Sequence, residues 1–440
     1  MLTNQRILSS CLKNHLNESV VISGWLHKKR ILGKIAFLVV RDRRGLMQVV
    51  VDNSVEIEKI ESIYQGSILH ISGVVVDAPK TQFGCELHKA VIEVVVPVTD
   101  ASPVEIDKSI DHRQEVLANI FDWRILTMRN ITEQGIFKVQ SGISAAIRSF
   151  LTSQDFIEFH SPKLLSGSTE GGAEVFKLDY FGKKATLAQS AQFYKQIMVG
   201  AFERVFEFGA TYRAEPSITS RHLTEFITVD VEMGFIDGMH DIMRLINDML
   251  LYVNESMWST HEKELYALNA TKPLLSQSFP VVTLQDLHKL CFEHTGQDFR
   301  TEKDPSPFEE RWICSYSAEK WGSEAVFITG FPSSDMKFYH YCDETDSTIA
   351  QRFDLLFRGV EIITGSQREH RYNKLIEQLK AMGGNPEDPS FQYYLQAFKY
   401  GMPAHGGFGL GLERLTQKII GLSNVKEACI FPRDINRLTP

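Results

Sequence analysis

Residues 204–235, RVFEFGATYRAEPSITSRHLTEFITVDVEMGF, constrain the fold more than any other stretch of this chain. Two runs rich in β-branched and aromatic residues, Arg204–Tyr212 and Ile227–Phe235, flank a polar loop, which is the pattern of a hairpin. The loop crowds Arg213, Glu215, Arg221 and His222 together, and Phe226 leads into the second strand. A surface hairpin with solvated ion pairs explains this poorly, because each such pair contributes only about 0–1 kcal/mol. Arginine forks bind phosphate oxygens bidentately, and an aromatic ring can stack on a base, so the hairpin suits a polyphosphate ligand.

Two further segments fit the same chemistry. In IRSFLTSQDFIEFHSPKLL a helix runs into an extended segment with Pro162. In HGGFGLGLERLTQKIIGL, glycines 406, 407, 409 and 411 read as a glycine-rich turn that permits close backbone approach, and a helix bearing Arg414 follows. The turn lacks the Lys-Ser/Thr ending of a P-loop, so alone it is weak. Helical periodicity over Ile136–Thr152 and Asp237–Thr260, with strand runs Gln351–Phe357 and Val360–Thr364, predicts a mainly antiparallel sheet flanked by helices. Residues 254–325 show helical patches without a chemical signature and read as an insertion within a 131–440 domain.

The first hundred residues hold strand runs Ser19–Trp25, Lys34–Val40, Leu46–Val51, Ser67–Val76 and Lys89–Val98, with a helix over Val55–Tyr64. Five strands with a helix after the third is the order of an OB-fold barrel, assigned to residues 1–103, and the polar stretch 104–130 reads as a hinge. The basic runs LHKKR and RDRRG, interleaved with Phe37, read locally as two solvated turns. A net charge of −8 argues against indiscriminate coating of nucleic acid but not against a local basic groove. Six scattered cysteines without CxxC spacing suit reduced thiols. No apolar run reaches the roughly 18 residues of a membrane span and no secretory signal is visible, so a cytoplasmic protein without membrane partners is expected.

Together the three segments resemble the three motifs of class II aminoacyl-tRNA synthetases, of the aspartyl/asparaginyl/lysyl subgroup with an N-terminal OB domain. STEGGAEVF, RAE…RHLTEF and GLGLERL, in this order, are specific to it, and the short length resembles the archaeal/eukaryotic aspartyl type. The resemblance implies an α+β chain, an OB anticodon-binding domain plus a class II catalytic domain, dimeric through the motif around Pro162. It implies ATP as substrate with Arg213 on the α-phosphate, Arg414 on adenine opposite Phe226, and Arg221 and His222 on the outer phosphates. Glu215, Leu223, Glu361 and Gly411 complete that site, and Asp354 and Glu361 hold Mg2+.

For the amino acid, Lys195 falls where aspartyl enzymes carry the lysine that meets the substrate carboxylate and asparaginyl enzymes lack it. Arg368, Asp230, Glu170 and Gln192 would complete the aspartate site. GSQREHRYNKL, by contrast, is closer to asparaginyl sequences, so an asparaginyl enzyme is the alternative, and a synthetase paralogue that binds RNA or makes an amide without charging tRNA is another. For the anticodon, Phe37 matches a stacking aromatic, Gln48 a base reader and Arg30 a phosphate or base contact. His27 and Pro79 resemble a relaxed form that charges both tRNA(Asp) and tRNA(Asn) with aspartate; a surface histidine on a barrel strand is the equal alternative for His27. An amidotransferase would then convert Asp-tRNA(Asn).

Overall fold

The computed structural model describes residues 6–108, 110, 112, 116–166, 174–216, 219–342 and 345–440. The chain divides into two compact units, Met1–Gln134 and Gly135–Pro440.

In the first unit, β1 (Ser19–Leu32), β2 (Ile35–Arg41), β3 (Leu46–Val51), α1 (Ser54–Glu61), β4 (Ile68–Ala78) and β5 (Gly84–Val96) follow in order. The strands close a barrel in the order β1-β2-β3-β5-β4, the OB fold, with only β3 and β5 parallel. Alternation along each strand drives the closure: Ile22, Leu38, Val40, Met47, Val49, Leu69, Ile71 and Leu87 point inward and are buried.

Here the structure corrects the reading of the basic run. LHKKR lies on β1, which continues to Leu32 and turns at Gly33 (φ +60°) into β2. Long basic side chains hide a strand when their stems pack along apolar surface. Lys29 is also not a solvated charge. Its ammonium donates to the carbonyls of Ile60, Glu61 and Ile63 at 2.9, 2.7 and 2.7 Å, satisfying the C-terminal end of α1. Likewise β5 starts five residues earlier than expected, because Lys89 takes φ +51° at a kink in its pairing with β4.

The stretch read as a hinge contains α2 (Leu117–Asp122) and α3 (Arg124–Thr127). Arg124 is fully buried, and its Nη1 donates to Glu133 at 2.7 Å. The Asn130 side chain donates to the carbonyls of Ile106 and Lys108, while its oxygen accepts from the amides of Thr132 and Glu133. That side-chain cap starts α4 (Ile131–Ser153) five residues before the apolar periodicity does.

The second unit continues with β6 (Ile157–Glu158), β7 (Leu164–Leu165), β8 (Lys177–Tyr180), β9 (Lys183–Leu187), α5 (Gln192–Phe202), β10 (Arg204–Tyr212) and β11 (Glu225–Gly234). After them come α6 (Met239–Thr260), α7 (Glu262–Ala267), β12 (Val281–Thr283), α8 (Leu284–Thr295), α9 (Pro307–Trp321), β13 (Ala325–Thr329) and β14 (Arg352–Phe357). The chain ends with β15 (Val360–Gln367), α10 (Tyr372–Ala381), α11 (Pro389–Lys399), β16 (His405–Gly411) and α12 (Leu412–Ile420). An eight-stranded sheet runs β12-β13-β14-β15-β16-β11-β10-β6, antiparallel except at its two edge pairs.

One face of this sheet is apolar. Val229, Val231, Phe353, Leu355, Ile363, Phe408 and Leu410 pack on buried positions of α4, α6 and α12. The intervening residues, Thr228, Asp230, Asp354, Thr364 and glycines 407 and 409, therefore face the other side, where a site can form. Residues 254–325 are not only helical: β12 pairs with β13 at the sheet edge, and α8 and α9 pack there through Leu287, Ile313 and Cys314.

Lys29→Met should lower the urea unfolding free energy by about 2 kcal/mol, because it strips three carbonyls of a charged donor. Arg43→Met, at an exposed position, should change it by less than about 0.5 kcal/mol.

Candidate active site

The polar face of the sheet floors a cavity of about 370 Å3. The glycine motif forms part of that floor, and it is not a turn but β16, paired between β15 and β11. A Cβ on Gly407 would stand 2.0 Å from the Val231 carbonyl oxygen and 2.3 Å from Glu232, so only glycine lets the strands close there. At Gly409 and Gly411 a Cβ would meet nothing nearer than 3.7 Å, and both positions line the cavity as bare backbone. Here the missing side chains make room for a ligand.

At one end lies a cluster of buried charges. Lys195, on α5, is 1% exposed, and its ammonium donates to Asp230 at 2.9 Å and to the Phe408 carbonyl at 2.8 Å, with Glu232 at 3.6 Å. Arg368 grips Glu232 with Nε at 2.9 Å and Nη2 at 3.2 Å, and also donates to Ser366 and the Gly407 carbonyl. Burial alone would raise the Asp230 carboxyl, but the charge and hydrogen bond of Lys195 outweigh it and hold the carboxyl below its ordinary range. A chain of hydroxyls, Thr211 to Thr228 at 2.7 Å and Thr228 to Asp230 at 2.9 Å, fixes the other oxygen. Gln192, buried on the cavity wall, has no partner for its amide nitrogen. Glu170 lies outside the described residues.

At the other end, Arg213, Glu215, Arg221, His222, Leu223, Phe226, Glu361 and Arg414 line the same cavity. The Arg213 guanidinium lies over the Phe226 ring at 5.5 Å. Arg414 donates to the Glu361 carbonyl at 3.0 Å and to that of Arg221 at 3.4 Å. Burial, followed by the charges of Arg414, Arg221 and Arg213, lowers the His222 pKa against the pull of Glu215, so the ring favours the neutral form. A β-bulge aims Glu361: Leu355 pairs with Ile363 but Leu356 pairs with Glu361, which leaves Ile362 extra. Glu361 and Thr364 thereby share one face, and the Thr364 hydroxyl donates to Glu361 at 2.9 Å.

Asp354 does not line the cavity. It is buried beside it, one oxygen accepting from Arg352 at 3.0 Å and the other without a partner. Burial first, and then the charge of Glu361, push its carboxyl up to about 7 against the pull of Arg352.

Sequence reasoning missed Glu232, Arg352 and Glu310. Period-2 spacing could have found the first two, since Glu232 is two residues beyond Asp230 and Arg352 two before Asp354. Nothing local signals Glu310, which reaches Arg221 from α9 across 89 residues.

In the barrel, Arg30 pairs with Phe37 across β1 and β2, and Gln48 sits opposite Val39 on β3, so the three share one outward face. The Gln48 amide donates to Glu86 at 2.6 Å. His27 is neither on the open surface nor on a regular strand. It is the extra residue of a bulge between Leu26 and Lys28, only 7% exposed, and its Nδ1 has no partner. Burial, then the charge of Arg41, lowers its pKa and keeps it neutral. Pro79 is exposed just beyond β4.

The cavity combines an arginine-rich hairpin with a glycine strand, and the chain also carries an OB barrel. The sequence matches the class II tRNA synthetases (D, K and N) over residues 118–435 and the OB-fold nucleic acid binding domain over residues 20–98, and the chain belongs to this family of aminoacyl-tRNA synthetases. It is 43% identical to the aspartate–tRNA(Asp/Asn) ligase of Thermus thermophilus, over 99% of this chain and all of that one. It is 37% identical to the aspartate–tRNA(Asp) ligase of Pyrococcus abyssi, over 98% and 99% of the two chains. The crystal structure of asparaginyl-tRNA synthetase from Pyrococcus horikoshii complexed with asparaginyl-adenylate superposes with a TM-score of 0.90 at 29% identity, covering both chains fully.

Gly407→Ala should fail to fold or melt well below the parent. Gly409→Leu should keep the melting temperature but lose nucleotide or amino-acid binding, measured by calorimetry. A pH series offers a third check. Burial lowers the His405 pKa to about 4, so between an unfolded value near 6.5 and 4 only the unfolded chain gains a proton. Stability should therefore fall as pH drops through that window, by on the order of 3 kcal/mol, and less in His405→Asn.

Proposed function

We propose that this chain activates L-aspartate with ATP to aspartyl-adenylate and transfers it to tRNA(Asp), and to tRNA(Asn) as well. The observation that carries the amino-acid assignment is the buried pair of cations, Lys195 and Arg368, at one end of the cavity. An ammonium has three donors, and Asp230 and the Phe408 carbonyl take two, leaving one for a substrate side-chain carboxylate. Asparagine would bring a neutral group to a desolvated cation, a penalty of several kcal/mol. The fold itself does not choose, because an asparaginyl enzyme shares it.

The α-carboxylate oxygen attacks the α-phosphorus and pyrophosphate leaves. The terminal ribose hydroxyl of tRNA then attacks the adenylate carbonyl and AMP leaves. Arg213 neutralises charge on the α-phosphate, Arg414 and Phe226 hold adenine, Arg221 and His222 hold the outer phosphates, and Glu215, Leu223 and Gly411 shape the site around the nucleotide. Gln192 and Asp230 hold the amino acid, and Glu170, outside the described residues, is assigned with them to the substrate by the family resemblance alone. Glu361, which lines the cavity, and Asp354, buried beside it, fit Mg2+: they are hard oxygen donors on adjacent strands, one Asp354 oxygen lacks a partner, and a cation would offset the burial, and then the Glu361 charge, that raise Asp354. Among the described residues no cluster of three metal-binding side chains occurs, which suits an ion that takes few protein ligands and several phosphate oxygens. Bound there, Mg2+ would screen charge on the phosphates.

Arg30, Phe37 and Gln48 form the outward face that stacks and reads the anticodon, a contribution of roughly 1–3 kcal/mol per base. His27, neutral in its bulge, and Pro79 tolerate either third anticodon base, and the Thermus relative named for both tRNAs supports that reading. An amidotransferase would convert the Asp-tRNA(Asn). The exposed apolar Ile157 and Leu164 flank Pro162 and suit a homodimer contact. No described helix is long and apolar enough to cross a membrane, and six free cysteines suit the reducing cytoplasm.

Charging with labelled aspartate on purified tRNA(Asp) and tRNA(Asn) transcripts should label both. Labelling of tRNA(Asp) alone would remove the second substrate, and labelling of neither would remove aspartate. Lys195→Leu should lower kcat/KM for aspartate by about 10²–10³-fold in pyrophosphate exchange, and tolerance of it would favour the asparaginyl alternative. Arg213→Ala should cost a comparable factor in kcat, and chelation of Mg2+ should abolish exchange.

A further inference from the structure

We infer that Glu310 is a positioning residue for Arg221, holding its guanidinium so that Nε and Nη1 face the tail phosphates of ATP. The inference rests on the reading of Arg221 as a phosphate ligand. Arg221 stands in the loop between β10 and β11, where its amide donates to the Thr219 hydroxyl at 3.2 Å and its carbonyl accepts from Arg414 at 3.4 Å. A long side chain on such a loop forfeits much rotamer freedom when a phosphate orders it. Its Nη2 donates to Glu310 at 2.5 Å and to the Gly359 carbonyl at 3.5 Å. Both contacts use one nitrogen, which leaves the other edge of the fork for bidentate phosphate binding.

Glu310 has a rigid mount. Ser306 caps α9 with Pro307 in its first turn, and Ser306 and Glu309 bond each other's amides in a capping box. The neighbouring Glu309 also bonds His288 of α8 at 2.6 Å in the interior. Arg221 and Glu310 are only 22% and 10% exposed at the side chain, so solvent screens their attraction weakly. The segment 254–325, which carries no chemical signature in the sequence, thus touches the cavity-lining Arg221 through one carboxylate.

The test is ATP–pyrophosphate exchange at saturating aspartate, with thermal melts to verify folding. Glu310→Ala should raise KM for ATP about tenfold, with kcat nearly unchanged and KM for aspartate unmoved. Glu310→Gln, which keeps an acceptor oxygen and serves if the alanine variant does not fold, should recover part of the loss. In an Arg221→Ala background neither change at Glu310 should matter further, because the effect passes through the missing guanidinium. An equal effect in both backgrounds overturns the inference, as does a fall in KM for ATP, which would mean that Glu310 withholds Arg221. A wild-type enzyme that exchanges without any dependence on aspartate would instead overturn the underlying functional reading.

Discussion

Lys195, Asp230, Arg368 and Glu232 are two cations and two carboxylates placed inside a protein, and each is tolerable only because the others are there. An isolated buried charge costs several kcal/mol even after relaxation. Lys195 comes from α5, the carboxylates from β11 and Arg368 from just beyond β15, and the carbonyls that complete the set belong to β16. If β16 shifted against β11 by one residue, Phe408 would move to the polar face and the lysine would lose its carbonyl. The quartet therefore enforces the register of the central strands as well as furnishing the amino-acid end of the cavity.

The same sheet explains why the site is polar on one side only. Alternation places Val229 and Val231 against α4 and α6 and leaves Thr228, Asp230 and Glu232 on the opposite face. Two departures from regularity then shape the chemistry. The bulge at Ile362 brings Glu361 to the side of Thr364, and glycines along β16 replace side chains with backbone. Neither departure stabilises the sheet by itself. A bulge breaks a ladder and a glycine costs entropy in a strand; Gly407 is needed for the strands to close, whereas the bulge, Gly409 and Gly411 stand where the cavity needs the space.

Much of this was legible in the linear chain. The arginine-rich hairpin announced itself because like charges seldom crowd without a ligand, and Phe37 and Gln48 fell on outward positions because a strand has a period of two. Other residues misled for equally physical reasons. Lys29 and Arg124 look like solvent-facing charges, yet one ends a helix and the other is wholly buried against Glu133. The alternative of a surface histidine on a regular barrel strand fails for His27, because a bulge buries it. The glycine motif looked like a turn, since glycine seldom signals a central strand.

Local sequence by itself determined the elements and their faces, together with the residue types able to hold phosphate, carboxylate and a base, because side-chain period, capping and charge are properties of neighbours along the chain. Tertiary structure alone decided which charges meet: that Arg368 grips Glu232, that Asp354 lies behind the cavity rather than in it, and that Glu310 reaches Arg221. Those pairings join residues up to 136 positions apart, and their strength depends on how far water is excluded. Exclusion of water is a property of the packed sheet and its helices, and no window of sequence carries it.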